Sequence, residues 1–268
     1  MAGLIAGPEE ELGRTESAQP AILFISVVRS RQLEWVTLER LYGVTLDSFD
    51  CLLGPSLGEC TAAVISGALT LEEGLKLAKF RGKVMQEAVQ GRATAMVAIK
   101  SDSTTVQTAI DRLKPEGICE ISGLTNPKQT LVSGDQAAVS ALVAYVKNNY
   151  KAASVPLKVS APFHCSLMAP AAKRLEAYLQ SLTFSPLRRP IVASSNCELV
   201  GSADQLRASL SRNVTAPMRL QGSIEVALER GVRTFVELGP QRKMSVHIRA
   251  VTRSWADVAV SQYSPDSL

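Results

Sequence analysis

Apolar positions along this chain recur in two rhythms, one near 3.6 residues and one of two, and their order predicts a layered α/β protein. Gln19 to Leu41 carries apolar side chains at helical spacing after a Gln19-Pro20 start, which predicts a buried helix. Phe49 to Leu53 reads as a short interior strand that runs into Gly54-Pro55-Ser56-Leu57-Gly58, where the chain must turn. From Glu59 onward, Ala62, Ala63, Val64, Ile65, Gly67 and Ala68 suit a helix packed closely on a sheet. Another helix opens at Thr70, which with Glu73 forms a reciprocal N-terminal cap, and continues to about Val89. Glu72, Lys76, Lys79, Lys83 and Glu87 fall on its wet side. Gly74, Ala78, Arg81 and Met85 line an inward side, so a cation stands where an apolar residue is expected.

Residues 93–159 change rhythm. Strand Ala95 to Ile99, helix Thr104 to Leu113, strands Ile118 to Ser122 and Thr130 to Ser133, helix Gln136 to Asn148 and strand Val155 to Val159 follow in the order βαββαβ. That order predicts a ferredoxin-like subdomain over 93–159, inserted into a larger α/β unit made of 1–92 and 160–268 with a parallel sheet of α/β-hydrolase-like type. Strands at Ile191 to Ser195 and Thr234 to Glu237 belong to the larger unit.

Composition narrows the function classes. The chain has 268 residues, 46% hydrophobic and 20% charged, which is ordinary globular usage and long enough for a substantial core. Its apolar runs, such as Ala21 to Val28, are too short to cross a bilayer, and Met1 to Ala6 lacks the form of a secretory signal. Five scattered cysteines without a CxxC pair read as free thiols in a reducing compartment. Two distant histidines, His164 and His247, make a histidine metal centre improbable, and no metal or cofactor is expected. A net charge of +4 without basic runs interleaved with aromatics speaks against nucleic-acid binding. Asn213-Val214-Thr215 matches a glycosylation tripeptide that matters only in secreted proteins.

Gly54-Pro55-Ser56-Leu57-Gly58 fits GxSxG, whose glycines permit a sharp strand-to-helix turn that presents a serine hydroxyl at a helix N-terminus. The pentapeptide arises by chance in roughly one chain in ten of this size, so its strand and helix context carries the assignment of Ser56 as nucleophile over a plain tight turn. A serine nucleophile needs a base, and the two histidines are the candidates. His247 lies in a basic stretch of helical spacing, where a solvent-facing histidine is expected. His164 sits at a loop-to-helix boundary, where a base and a capping or interior histidine are both open.

Four segments together resemble the malonyl-CoA:acyl-carrier-protein transacylases: Gly54 to Glu59, Arg81-Gly82-Lys83-Val84-Met85-Gln86, Ala161-Pro162-Phe163-His164 with Leu167-Met168, and Glu237-Leu238-Gly239-Pro240. Their order and spacing follow the family from about Gly7 to about Val251, and stand-alone fungal mitochondrial forms look most similar, which implies a mitochondrial location. The resemblance implies ping-pong transfer of a malonyl group from malonyl-CoA to the pantetheine thiol of acyl carrier protein, in fatty acid synthesis, by a monomer. Ser56 would attack, His164 would accept its proton, and Arg81 would grip the malonyl carboxylate with a two-pronged hydrogen bond. The Leu57 amide would serve the oxyanion. Phe163 would exclude a branched methylmalonyl group, and Gln129 aligns with a glutamine near the substrate pocket. Asn213 would orient the histidine through its backbone carbonyl, with nothing special asked of its side chain.

Two features depart from the family. A GQGSQ-type loop, which supplies the second oxyanion donor, has no counterpart, so an N-terminally shortened chain of reduced activity is expected. Pro55 stands where the family usually has histidine, which predicts an altered elbow. Two other readings remain open. An α/β-hydrolase would use His247 as base, and a carrier-binding protein without turnover would use Arg188, Arg189, Arg242, Lys243 and Arg249.

Overall fold

The computed structural model describes residues 14–32, 48–239 and 243–262. Helix α1 spans Thr15–Gln32, so it begins a turn before the expected Gln19-Pro20 start and holds Pro20 in its interior. The expected continuation to Leu41 lies outside the described residues. Strand β1 is only Leu52–Leu53, shorter than the Phe49 to Leu53 anticipated, because the chain is already bending toward Gly54. Helix α2, Leu57–Ile65, then starts two residues before Glu59. Helix α3, Leu71–Glu87, carries the anticipated capping box, with the Thr70 hydroxyl accepting from the Glu73 amide and the Glu73 carboxylate accepting from the Thr70 amide.

The next stretch follows the alternation read from the sequence: β2 (Thr94–Ile99), α4 (Ser103–Leu113), β3 (Cys119–Asn126), β4 (Gln129–Asp135), α5 (Gln136–Tyr150) and β5 (Ser154–Pro156). These strands form one sheet in the order β3-β4-β2-β5 with every pair antiparallel. The period of two is visible in β2, where Val97 and Ile99 join the core under α4 and α5 while Met96 and Ala98 pack on the opposite face with Leu131. Strand β5 stops at Pro156, short of Val159, and Val159 is exposed.

A one-turn 3₁₀ segment, Ser166–Met168, leads into α6 (Ala169–Ser181). Then come β6 (Ile191–Val192), β7 (Leu199–Val200), α7 (Ala203–Arg212), α8 (Leu220–Glu229), β8 (Thr234–Glu237), α9 (Lys243–Val251) and β9 (Ala259–Gln262). Strand β1 pairs in parallel with β6, β7 adds antiparallel to β6, and β8 and β9 form a parallel pair. The largest core gathers Leu23, Ala63, Leu77, Met85, Leu175, Leu179, Ile191 and Leu206 from α1, α2, α3, α6, β6 and α7. Small residues let its helices approach closely. A Cβ on Gly82 would sit 2.6 Å from the Thr15 carbonyl oxygen, and one on Gly74 would sit 2.2 Å from Val64 Cγ2. This contact of α1 with α3 is what brings Gln19 to Arg81.

Candidate active site

The turn after β1 explains the glycines of the pentapeptide. A Cβ on Gly54 would lie 2.3 Å from the carbonyl of Gly58, so both ends of the bend pass backbone against backbone. The Gly58 amide donates to the Pro55 carbonyl at 2.9 Å, so Pro55 is accommodated by supplying an acceptor to the turn. Ser56 takes the strain, with φ 56° and ψ −113°, a left-handed backbone that a non-glycine residue adopts only when its surroundings impose it. Leu57 opens α2, and first-turn amides have no acceptor within their own helix.

His164 is held from the other side. Its loop is fixed by Cys165 Sγ, which donates to the Pro162 carbonyl, and by Glu120 of β3, which accepts from the Ser166 amide at 2.8 Å. His164 also has positive φ, 62°. Its Nδ1 lies 2.8 Å from the Asn213 carbonyl and its Nε2 lies 2.8 Å from Ser56 Oγ. A carbonyl can only accept, so Nδ1 carries the proton and the Nε2 lone pair faces the serine hydroxyl. Burial, then the nearby Arg81 charge, depress the imidazole pKa to about 4, against weaker support from the Asn213 and Ala216 carbonyls. His164 is therefore neutral near pH 7.

Arg81, only 2% exposed, resolves the puzzle of a cation on an inward helix face. Its Nη2 donates to Ser56 Oγ at 3.0 Å and to Asn213 Oδ1 at 3.1 Å, while Nη1 donates to Gln19 Oε1 at 2.8 Å. All three are neutral acceptors. Burial pulls the guanidinium below its ordinary value, opposed by Cys60 and Glu59. Cys60 is itself pushed up to about 11 by burial, so it is an uncharged thiol at neutral pH. Glu59 is then the nearby acidic group that matters.

The structure thus brings Ser56, His164, Arg81 and Asn213 into one hydrogen-bonded cluster, with Leu57 adjoining in sequence. Phe163 meets the His164 ring edge to face, with centroids 6.5 Å apart, and touches both the main core and the Met96, Ala98 and Leu131 cluster. Gln129 is set apart. Its side chain donates to Thr125 Oγ1 at 3.1 Å and accepts from Lys100 Nζ, at the end of the β3–β4 hairpin. His247 Nδ1 lies 3.0 Å from Asn126 Nδ2, so from α9 it touches the same hairpin and is half-buried rather than solvent-facing. The serine has His164 for its partner, and the hydrolase arrangement with His247 as base is not formed.

Asn213 corrects an expectation, because its side chain does as much as its carbonyl. Oδ1 accepts from Arg81, and Nδ2 donates to Glu59 Oε2 and Ser194 Oγ, both at 2.9 Å. Its burial also removes the glycosylation reading of Asn213-Val214-Thr215. Gln19 and Glu59 were given no role in the site by sequence reasoning. Gln19 sat inside a helix read only for its apolar spacing, and Glu59 directly follows the GxSxG glycine with no partner visible along the chain. Among the basic residues weighed for carrier binding, Arg188 donates to the Ile65 carbonyl and Arg249 to the Val260 carbonyl, while Arg242 lies outside the described residues. The described residues hold no cluster of histidine, cysteine and acidic side chains that could bind a metal, and no helix among them is long and apolar enough to cross a membrane.

An acyl transferase domain model matches residues 3–266. The chain belongs to this family. This acyl transferase is 31% identical over 262 residues to the malonyl CoA-acyl carrier protein transacylase of Bacillus subtilis strain 168, a match spanning 96% of this chain and 79% of that protein. Its fold is similar to the acyl-carrier-protein S-malonyltransferase of Burkholderia pseudomallei, with TM-score 0.90, 28% identity, and 99% of this chain and 84% of that one covered. A malonyl-transacylase solved with a type II PKS acyl-carrier protein matches at TM-score 0.85 and 30% identity, covering 96% of this chain and 79% of that one.

Proposed function

We propose that this acyl transferase moves a malonyl group from malonyl-CoA to the pantetheine thiol of acyl carrier protein, through an ester on Ser56, for fatty acid synthesis. The observation that carries the reading is a buried cation beside the serine: Arg81 Nη2 lies 3.0 Å from the Ser56 hydroxyl that His164 Nε2 approaches at 2.8 Å. An acyl group bearing its own acid is the substrate for which such a cation is useful. The malonyl transfer for which the relatives are named supports the same choice.

In this reading Ser56 Oγ attacks the thioester carbonyl as its proton passes to His164 Nε2. The Leu57 amide donates to the oxyanion, and the imidazolium returns the proton to the departing CoA thiolate. The carrier's thiol then gives its proton to His164 and attacks the ester, and Ser56 leaves as a hydroxyl. Arg81 holds the malonyl carboxylate throughout, exchanging neutral hydrogen bonds for a charged one. Phe163 limits room beside the malonyl methylene, and Gln129 acts farther out, where the hairpin would meet the longer part of the substrate. No cofactor or metal enters these steps.

The division into a large unit of 1–92 and 160–268 and a ferredoxin-like unit of 93–159 is part of the same reading, supported by separate packed cores. The resemblance to stand-alone fungal mitochondrial forms supports a mitochondrial compartment, and we take the working unit to be a monomer. Intact-protein mass spectrometry of the full chain mixed with malonyl-CoA tests the proposal. A malonyl adduct on Ser56, discharged by holo acyl carrier protein and absent in Ser56→Ala, is the expected result. No adduct on Ser56 overturns it.

A further inference from the structure

Glu59 is fully buried, one helical turn beyond Ser56, and it is not among the groups that the transfer steps above employ. Ordinary burial of a carboxylate costs several kcal/mol unless its oxygens are satisfied. Here they are satisfied by four donors. The Ser194 amide and hydroxyl reach Oε2 at 3.2 and 3.0 Å, Asn213 Nδ2 reaches it at 2.9 Å, and Ser209 Oγ donates to Oε1. The Ser194 backbone N–H can only donate and Asn213 presents its Nδ2 on the same side, so the site is built for an acceptor.

The Asn213 amide lies between this carboxylate and Arg81, donating to one through Nδ2 and accepting from the other through Oδ1. Turned over, it would set an NH2 against a guanidinium and an oxygen against a carboxylate, two repulsive contacts in a buried site. Glu59 and Arg81 together fix which way the amide points, and Glu59 anchors its NH2 end. Because the amide stands between them, Glu59 counterbalances Arg81 without bonding to it, and the guanidinium keeps neutral partners. The backbone carbonyl of the same Asn213 holds His164 Nδ1, so one residue links the carboxylate to both the cation and the imidazole.

We propose that Glu59 is a positioning residue for acyl transfer: its carboxylate orients Asn213, which aims Arg81 at the acid end of the acyl group and steadies His164 against Ser56. The inference rests on the malonyl-transfer reading and adds what keeps Arg81 available to a substrate carboxylate. In Glu59→Gln the amide oxygen can keep the Ser194 and Asn213 donors while the NH2 turns to the Ser209 hydroxyl, so that variant removes only the charge. Glu59→Ala removes the acceptor and leaves Asn213 Nδ2 anchored by Ser194 Oγ alone, which loosens the amide that positions Arg81.

The test compares single-turnover acylation of Ser56 by malonyl-CoA and by acetyl-CoA in the full chain, read by intact mass, together with thermal unfolding. Glu59→Ala should lower the malonyl rate about 10- to 100-fold and the acetyl rate far less, the scale of loss that misplacement by about 1 Å produces, and Glu59→Gln, which keeps the acceptor, should recover most of the malonyl rate. A purely structural carboxylate would lower the melting temperature and leave the malonyl-to-acetyl ratio alone; a folded Glu59→Ala with an unchanged ratio overturns the inference. Should that variant not fold, Ser194→Ala and Ser209→Ala, each removing one hydroxyl donor from the same carboxylate, should lower the ratio by several-fold, and an unchanged ratio in both overturns it equally. Absence of any adduct in the unaltered chain would overturn the transferase reading as well, whereas a normal adduct with unaltered preference in the variants would overturn this inference alone.

Discussion

The depressed pKa of His164 makes a sharp forecast about acid. A base that must be neutral to take the Ser56 proton is lost only as pH falls through its folded-state pKa, about 4 here instead of the ordinary 6.5. At pH 5.5 a group of pKa 4 is about 97% neutral and one of pKa 6.5 about 9% neutral, a tenfold difference in available base. Single-turnover acylation of Ser56 by malonyl-CoA should therefore be nearly flat from pH 8 to about 5.5 and fall below that. Removing the neighbouring charge with Arg81→Ala should raise the midpoint toward 6.5, because the second-largest depressing influence on the imidazole is that guanidinium. The same shift acts on folding. Between about pH 6.5 and 4 the unfolded chain holds a proton on this histidine that the native state refuses, so stability falls with acidification through that window by an amount on the order of 3 kcal/mol, and is retained above it. Denaturant unfolding of the unaltered chain and His164→Gln, from pH 7 to pH 4, isolates this contribution. A rate profile with its midpoint near 6.5, or identical acid sensitivity in both proteins, would refute the burial argument.

Three further outcomes follow from the same geometry. Arg81→Ala should lose about 2–5 kcal/mol of malonyl transition-state binding while acetyl transfer survives, measured as kcat/KM for the two CoA thioesters; an unaltered ratio removes Arg81 from substrate recognition. His164→Ala should abolish Ser56 acylation and His247→Ala should leave it within a few-fold, since the latter ring faces Asn126. Gly82→Ala should lower stability by about 1–3 kcal/mol through overpacking, because its methyl has no room against the Thr15 carbonyl; a melting temperature equal to that of the unaltered chain would show that α1 can move aside freely.

How much of this could be read along the chain depends on whether the relevant contact is local. The capping box at Thr70 and Glu73, the βαββαβ order and the elbow at Ser56 involve neighbours within a few residues, and each stood out in the spelling. Arg81 was legible as an anomaly, a charge among Gly74, Ala78 and Met85, although its partners were not. Gln19, Glu59 and Ser209 act over separations of 62 to 154 residues, and nothing local distinguishes a glutamine in an apolar helix from one that grips a guanidinium. Element ends erred for a related reason. Strand β1 is two residues long because the backbone crossing at Gly54 and Gly58 begins the turn early, a steric demand that period counting does not register.

Phe163 gives the fold a mechanical consequence. One side chain is packed into two hydrophobic clusters, and its backbone neighbour is the imidazole that must stay within 2.8 Å of a hydroxyl. The antiparallel sheet is therefore a wall against which the reactive ring is braced, and shaving it away to make a smaller catalyst would leave the imidazole loop cantilevered. A miniaturised version would need a substitute buttress at that face before its chemistry could be judged.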